Sequence, residues 1–205
     1  MTDTDVARQS RGDTIAIWAF MIAGAIIAVA SVWGAVARIV EVLPNHDVRV
    51  LAEFAGDAVD APIGPGGGAL PVELEQGFVT VPSLPAIGIA VIVLQQIAAA
   101  ATVVTVVVCL VLLSRGILRG TVFSRRNTAL VATAGIVGLL GAAAVPFFGN
   151  MAANAAFARL SDGDFDNVLI SIEPFPYILA AFIVALASTV FAVGDRMRRD
   201  TEGLV

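Results

Sequence analysis

The stretch that decides the fold is residues 114–127, which read SRGILRGTVFSRRN and separate two long apolar runs. It contains four arginines and no acidic residue: Arg115, Arg119, Arg125 and Arg126. Short connections rich in Lys or Arg stay on the cytoplasmic side of a membrane. The stretch therefore predicts which way the flanking runs are threaded.

The composition is typical of a membrane protein. The 205 residues are 58% hydrophobic and the mean hydropathy is +0.90, which is more apolar surface than a soluble domain of this size could bury. A net charge of -5 argues against direct binding of nucleic acid. The single cysteine, Cys109, excludes an intrachain disulfide and a cysteine-based metal site, and the lone histidine, His46, is interpreted as a solvated side chain.

Four runs contain no charged residue: 14–37, 86–113, 128–158 and 174–194. Each exceeds the roughly 20 residues that cross about 30 Å of hydrocarbon. In lipid the backbone must satisfy its own hydrogen bonds, so these runs are predicted to be helices. The predicted fold class is an all-α membrane protein with four transmembrane helices and a small extracytoplasmic β-rich segment between helices 1 and 2.

The predicted segments follow from these runs. They are a cytoplasmic tail (1–13), transmembrane helix 1 (14–43), an extracytoplasmic β-rich loop (44–85), helix 2 (86–113), a cytoplasmic Arg-rich loop (114–127), helix 3 with an extension (128–158), an extracytoplasmic acidic loop (159–173), helix 4 (174–194) and a cytoplasmic tail (195–205).

Charge asymmetry predicts the orientation. Nine of the 12 arginines fall on the side of the two tails and the Arg-rich loop: Arg8, Arg11, Arg115, Arg119, Arg125, Arg126, Arg196, Arg198 and Arg199. The other side has three arginines and most of the acidic residues. An even number of spans then places both termini in the cytoplasm, and the predicted location is the bacterial cytoplasmic (inner) membrane.

The first run could instead be a cleaved signal peptide, because Ala35-Val36-Ala37 resembles a small-residue cleavage site. Its apolar stretch is longer than is usual for a signal peptide. The preceding segment is also poor in net positive charge, with three aspartates against two arginines. Both features favour a retained helix.

The loop 44–85 is too long for a bare connection. Residues 46–54 and 70–81 alternate between apolar and polar side chains, which is typical of strands, and a Pro/Gly-rich turn region lies between them. We expect a small antiparallel sheet that covers the helix ends. It could bind a ligand or a partner, or merely cover the helices.

The sequence contains no catalytic motif and no charged residue inside the four runs, so a non-enzymatic protein without cofactor or metal is predicted. The spaced aspartates Asp162, Asp164 and Asp166 lack the calcium-loop pattern.

Neutral polar groups remain within the runs. Interhelical polar contacts are predicted for Gln95, Gln96, Asn150 and Asn154. Gly135, Gly138 and Gly141 predict close helix packing on the third run.

The Arg-rich loop can be interpreted as a re-entry turn. Ser124 is a predicted N-cap for the third helix, and Phe123 before it could pack back onto the first turn. Arg125 and Arg126 would lie at the level of the lipid headgroups. The predicted contacts with lipid or a cytoplasmic partner are Arg115, Arg119, Phe123, Ser124, Arg125, Arg126 and Asn127.

The same turn carries a resemblance. Gly120-x-x-Phe123-Ser124-x-x-Asn127-x-x-Leu130 resembles the turn of a bacterial membrane family, domain-of-unknown-function family 2975, and the end from Phe191 and Gly194 to Val205 is similar to that family's ending. The resemblance in motif covers residues 103–205, and the first hundred residues match in layout only. It implies four spans and no known catalytic residues, with a small helix-turn-helix regulator often encoded nearby.

Three functions remain open at this point. The cytoplasmic face could bind a small helix-turn-helix regulator and control its access to DNA, through Phe123, Arg125, Arg126 and the tail 196–205. The chain could instead be an accessory subunit of a larger transporter or respiratory complex, or an oligomeric transporter or channel. The expected partners are membrane lipid and another protein, with a homo-oligomer also possible.

Overall fold

The computed structural model describes residues 11–162 and 174–202, in which four α-helices and two β-strands occur. The helices are α1 (Arg11–Val42), α2 (Ala86–Leu118), α3 (Arg125–Leu160) and α4 (Pro174–Glu202), and the strands are β1 (Val48–Ala61) and β2 (Leu70–Val81). All four helices are long and apolar enough to cross a membrane, as predicted. Most of the predicted tail 1–13, most of the acidic loop 159–173 and residues 203–205 lie outside the described residues.

The helices extend beyond the uncharged runs and into the predicted Arg-rich loop 114–127. Arg115 lies in the last turn of α2, while Arg125 and Arg126 begin α3, and only residues 119–124 connect the two helices. Arginine is a good helix former, and a charge stops a segment from entering hydrocarbon without ending its helix. For the same reason α4 continues to Glu202, through much of the predicted tail 195–205.

The chain divides into two compact units, each described here by itself. The arginine unit comprises the described parts of Met1–Trp33, Ala100–Gly141 and Pro174–Val205. The hairpin unit comprises Gly34–Ala99 and the described part of Ala142–Glu173.

The hairpin unit is built on the antiparallel pair β1–β2. Val48 lies opposite Val81 at one end of the pair, and Ala61 lies opposite Leu70 at the other. The predicted alternation in β1 is confirmed, because Val48, Val50 and Ala52 are buried on one face. β1 is longer than the predicted segment 46–54, because a bulge between Glu53 and Asp57 lets pairing resume beyond it. Gly56 takes the positive φ of 81° within the bulge.

The buried face of the hairpin packs on helix ends. Its core joins β1 and β2 to the end of α1 at Val42, to Val91 and Ile92 of α2, and to α3 at Phe157. The ring of Phe54 meets that of Phe157 edge to face at 5.5 Å. The expected sheet that covers helix ends is therefore present.

Polar contacts fix the entry to the hairpin. The Asn45 side chain accepts from the backbone N–H of Leu84 at 2.7 Å and donates to its carbonyl at 2.9 Å. The guanidinium of Arg38 donates to the Arg49 carbonyl and pairs with Glu41 at 2.9 Å. Arg38 thus joins α1 to β1, and Asn45 joins the α1–β1 connection to the segment between β2 and α2.

In the arginine unit the glycines of α3 face two neighbours. Gly135 lies against Val184 of α4, whereas Gly141 lies against Thr102 of α2 and Gly138 lies near Val106 of α2. The first two positions have no room for a methyl group, while a methyl group at Gly138 would be 3.9 Å from the nearest Val106 atom. The predicted small-residue face therefore serves two helix contacts.

We predict that Gly141→Ala destabilises the protein and that Gly138→Ala does not. A methyl group at Gly141 would overlap the Thr102 side chain, including its Cβ, which no rotamer change can move away. Such overpacking costs about 1–3 kcal/mol. Thermal unfolding of both variants in mild detergent tests this prediction. Equal unfolding temperatures for the two variants would contradict a close contact between α3 and α2 at Gly141.

Candidate functional site

The α2–α3 turn begins with a tightly closed helix end. Gly120 has a φ of 72°, and its N–H donates to the carbonyl of Ile117 at 2.9 Å. The next N–H, that of Thr121, donates to the Gly116 carbonyl at 3.0 Å. This is the Schellman arrangement, in which a left-handed residue favours glycine. The chain therefore reverses directly after Arg119.

Asn127 holds the other half of the turn. Its side-chain amide donates to the carbonyls of Thr121 and Val122 at 2.6 and 2.8 Å, and the residue is only 3% exposed. The amide also packs on Gly116 of α2, where a Cβ would lie 2.8 Å from the amide nitrogen. One buried side chain thus donates to two carbonyls of the turn and holds them beside the start of α3.

Ser124 is the N-cap of α3. Its hydroxyl accepts from the Asn127 N–H at 3.2 Å, and its carbonyl accepts from the Thr128 N–H at 2.9 Å. The sequence-based interpretation of Ser124 as a cap therefore agrees with the geometry. The hydroxyl is engaged in the turn rather than held out towards a partner.

Phe123 joins the turn to α4. Its ring lies 5.6 Å from that of Phe191, and it covers Gly194 so closely that a methyl group there would overlap the ring. The sequence suggested contact with the first turn of α3, but the contact observed is with another helix. Together, Phe123, Ser124, Asn127, Phe191 and Gly194 are called the turn clasp below.

Beyond the turn clasp, α4 carries a buried carboxylate that sequence reasoning missed. Asp195 is 4% exposed, and its Oδ2 accepts from the Arg199 guanidinium at 2.7 Å. The sequence interpretation placed Asp195 in the cytoplasmic tail 195–205. The spacing of four residues between Asp195 and Arg199, typical of an ion pair on a helix, was the available signal.

The arginines of the turn are exposed. Arg115, Arg119, Arg125 and Arg126 all present their side chains to the surroundings, and in the part of the chain that the structure describes none of them pairs with a carboxylate. Other arginines do have partners: Arg49 lies over the Phe78 ring at 4.7 Å, and Arg38 pairs with Glu41. The turn therefore carries positive charge with no counterion among the described residues.

The four amides that were predicted to make interhelical contacts, those of Gln95, Gln96, Asn150 and Asn154, belong to the hairpin unit. Gln95 joins α2 to α3, since its Nε2 donates to the Val145 carbonyl at 3.1 Å. The Asn154 amide donates along its own helix to Asn150 at 3.0 Å, and its buried Oδ1 finds no partner among the described residues. Gln96 is half-buried.

Within residues 11–162 and 174–202, no three His, Cys, Asp or Glu side chains cluster as a metal site. Comparison with protein-family models, with curated proteins and with solved structures finds no match for this chain. The resemblance of the turn to family 2975 therefore stays a prediction.

We predict that Gly194→Ala loosens the turn clasp. The added methyl group would overlap the Phe123 ring, at a cost of about 1–3 kcal/mol in the free energy of unfolding. Gly34→Ala is the matched control, because Gly34 also lies in a helix but has no atom within 4 Å of the added group.

Thermal unfolding in detergent measures both changes. Adding Phe123→Leu to Gly194→Ala removes the planar ring and should recover part of the loss, which a double-mutant cycle quantifies. Strictly additive effects of the two substitutions would contradict a direct contact between these residues.

Proposed function

We propose that the chain is a non-enzymatic, multi-pass protein of the bacterial cytoplasmic membrane whose arginine-bearing face holds a small soluble regulator of the helix-turn-helix type. The observation that carries this proposal is the set of exposed arginines that pair with no carboxylate in residues 11–162 and 174–202, on a turn held in place by the turn clasp. The kind of regulator follows from the resemblance to family 2975.

Exposure of apolar side chains supports the membrane placement. Phe175, Phe182 and Trp33 are 72%, 67% and 76% exposed, and the most apolar window of α4 is 0% buried. Leaving so much apolar surface in water would be strongly unfavourable, whereas lipid tails cover it without cost.

Helix length supports the same placement. α2 has 33 residues and is therefore about 50 Å long, which exceeds the roughly 30 Å of hydrocarbon. About 20 residues, or about 30 Å, separate Gln95 from Arg115 on this helix. These two polar side chains would mark the edges of the hydrocarbon. Val91 and Ile92, which lie before Gln95, belong to the core beneath the hairpin.

The orientation follows from charge. Arginines near the ends of membrane spans keep those ends in the cytoplasm, so the turn and both termini are proposed to be cytoplasmic and the hairpin extracytoplasmic. The hairpin's exposed side chains include the acidic residues Asp60, Glu73 and Glu75. Acidic residues contribute little to orientation and are tolerated on the outer side.

The proposed docking surface combines the start of α3 with the extension of α4. Arg125, Arg126, Arg196 and Met197 are exposed there, with Met197 at 64%. Phe123 is not a contact residue, because its ring is packed against α4 in the turn clasp. Its role is to position the arginines. A basic surface with one flexible apolar side chain suits a partner that presents acidic and apolar side chains.

A helix-turn-helix protein binds DNA through its basic face, which these arginines would repel. The partner would therefore dock by another, acidic face. Attachment to the membrane would then limit how much of the regulator reaches its operator.

We predict that a small soluble regulator co-purifies with the tagged protein from its own host in mild detergent, as detected by mass spectrometry. Replacing Arg125, Arg126 and Arg196 together by alanine should reduce its recovery at least tenfold, since exposed charges of this kind mainly set association. Arg159→Ala is the matched control, because Arg159 is also exposed on α3 but belongs to the hairpin unit.

Undiminished recovery with the triple variant would refute this docking surface. Recovery of stoichiometric subunits of a large membrane complex, with no soluble regulator, would instead make the chain an accessory subunit.

A further inference from the structure

We infer that the four arginines of the α2–α3 turn, together with Trp18, form a selective binding surface for the headgroups of anionic phospholipids. The inference rests on the membrane placement proposed above, but it does not depend on the regulator. It concerns Arg115, Arg119, Arg125 and Arg126. Of these, Arg125 and Arg126 also belong to the docking surface proposed above, whose other residues, Arg196 and Met197, are left to a protein partner.

The first support is uncompensated charge. In the described chain the four guanidinium groups have no carboxylate partner. The buried carboxylate of Asp195 on α4 is occupied by Arg199 at 2.7 Å. A guanidinium presents a planar fork of donors that matches phosphate oxygens, so an external phosphate is the chemistry that these groups fit.

The second support is that Trp18 and the arginines of the turn lie at the same depth in the membrane, within the arginine unit. The Asn127 amide packs on Gly116, so the first turn of α3, with Arg125 and Arg126, lies beside Arg115 at the end of α2. On α1, Gly24 lies against Val107 and Val111 of α2. Consecutive membrane spans run in opposite directions, and Trp18 precedes Gly24 by about 9 Å along the helix. Trp18 therefore lies at the depth of Arg115.

The third support is the exposed apolar surface at that depth. Trp18 is 55% exposed, and Val122, in the middle of the turn, is 36% exposed. Tryptophan is enriched where acyl chains meet headgroups. A free phosphate ion would engage the arginines alone, whereas a phospholipid offers its phosphate to the arginines and its glycerol and acyl region to Trp18 and Val122.

The turn clasp makes the surface selective for anionic headgroups, because it fixes the backbone that carries the arginines. Asn127 and the Schellman closure at Gly120 fix the backbone that carries Arg119, and the Ser124 cap fixes the start of α3. The guanidinium groups thus start from fixed backbone positions, which lowers the entropy lost on binding a headgroup.

The test uses the purified full-length protein in a neutral detergent, with no other protein present. Phosphatidylglycerol or phosphatidylcholine is titrated in, and bound lipid is counted by native mass spectrometry alongside the thermal unfolding midpoint. The wild type should retain phosphatidylglycerol in preference to phosphatidylcholine and unfold at a higher temperature with it. Arg125→Gln combined with Arg126→Gln should weaken phosphatidylglycerol binding about 25-fold, or about fivefold for each arginine.

Arg159→Gln is the control variant and should bind phosphatidylglycerol like the wild type. Glutamine is also a good helix former, so circular dichroism should show intact helices in both variants. Trp18→Leu should reduce binding of phosphatidylglycerol while leaving the effect of inorganic phosphate unchanged.

Three results would overturn the inference. They are an unchanged phosphatidylglycerol preference in the Arg125/Arg126 variant, an equal loss in Arg159→Gln, and stabilisation by inorganic phosphate equal to that by phosphatidylglycerol. The last would make the turn a free-anion site. Failure to recover a regulator from the host would bear on the proposed docking function alone, because this assay contains only the purified chain and lipid.

Discussion

The two hydrogen bonds that the buried Asn127 amide donates to the carbonyls of Thr121 and Val122 hold together the arginine unit's connection between α2 and α3. They fix the six-residue connection, 119–124, in which the chain reverses. With the turn fixed, Phe123 can pack on Phe191 and Gly194 and so attach α4. Without Asn127, the carbonyls of Thr121 and Val122 would lose these donors, and the backbone from which Phe123 contacts α4 would no longer be fixed.

In this turn, some residues stabilise the fold and others form the exposed surface. Gly120, Phe123, Ser124 and Asn127 are four of the five turn positions that carry the resemblance to family 2975, and each has a structural role in the turn. The arginines between and beside them are exposed. If the resemblance reflects common descent, the shared motif describes how the turn folds, and the choice of partner belongs to the exposed side chains around it.

Much of this fold could be predicted because its causes are local in sequence. Uncharged runs longer than 20 residues predict spans, alternation predicts the buried face of β1, and Ser124 has the side chain of a cap. Features that depend on tertiary contacts were missed. The partner of Phe123 lies about 70 residues away on α4, and the burial of Asp195 depends on the packing around α4. The arginines were assigned to a loop because charge marks the end of hydrocarbon, whereas the helix ends only where Gly120 and Ser124 allow it.

The direction of threading is the central claim, since the proposed docking and lipid surfaces both require the arginine turn to face the cytoplasm. Cys109 is buried, and its replacement by alanine removes the native thiol. In that background, Glu75→Cys on the hairpin and Arg119→Cys in the turn each introduce one exposed thiol. A membrane-impermeant maleimide should label the Glu75→Cys variant in intact cells and the Arg119→Cys variant only after lysis. Labelling of the Arg119→Cys variant in intact cells, with protection of the Glu75→Cys variant, would contradict the account.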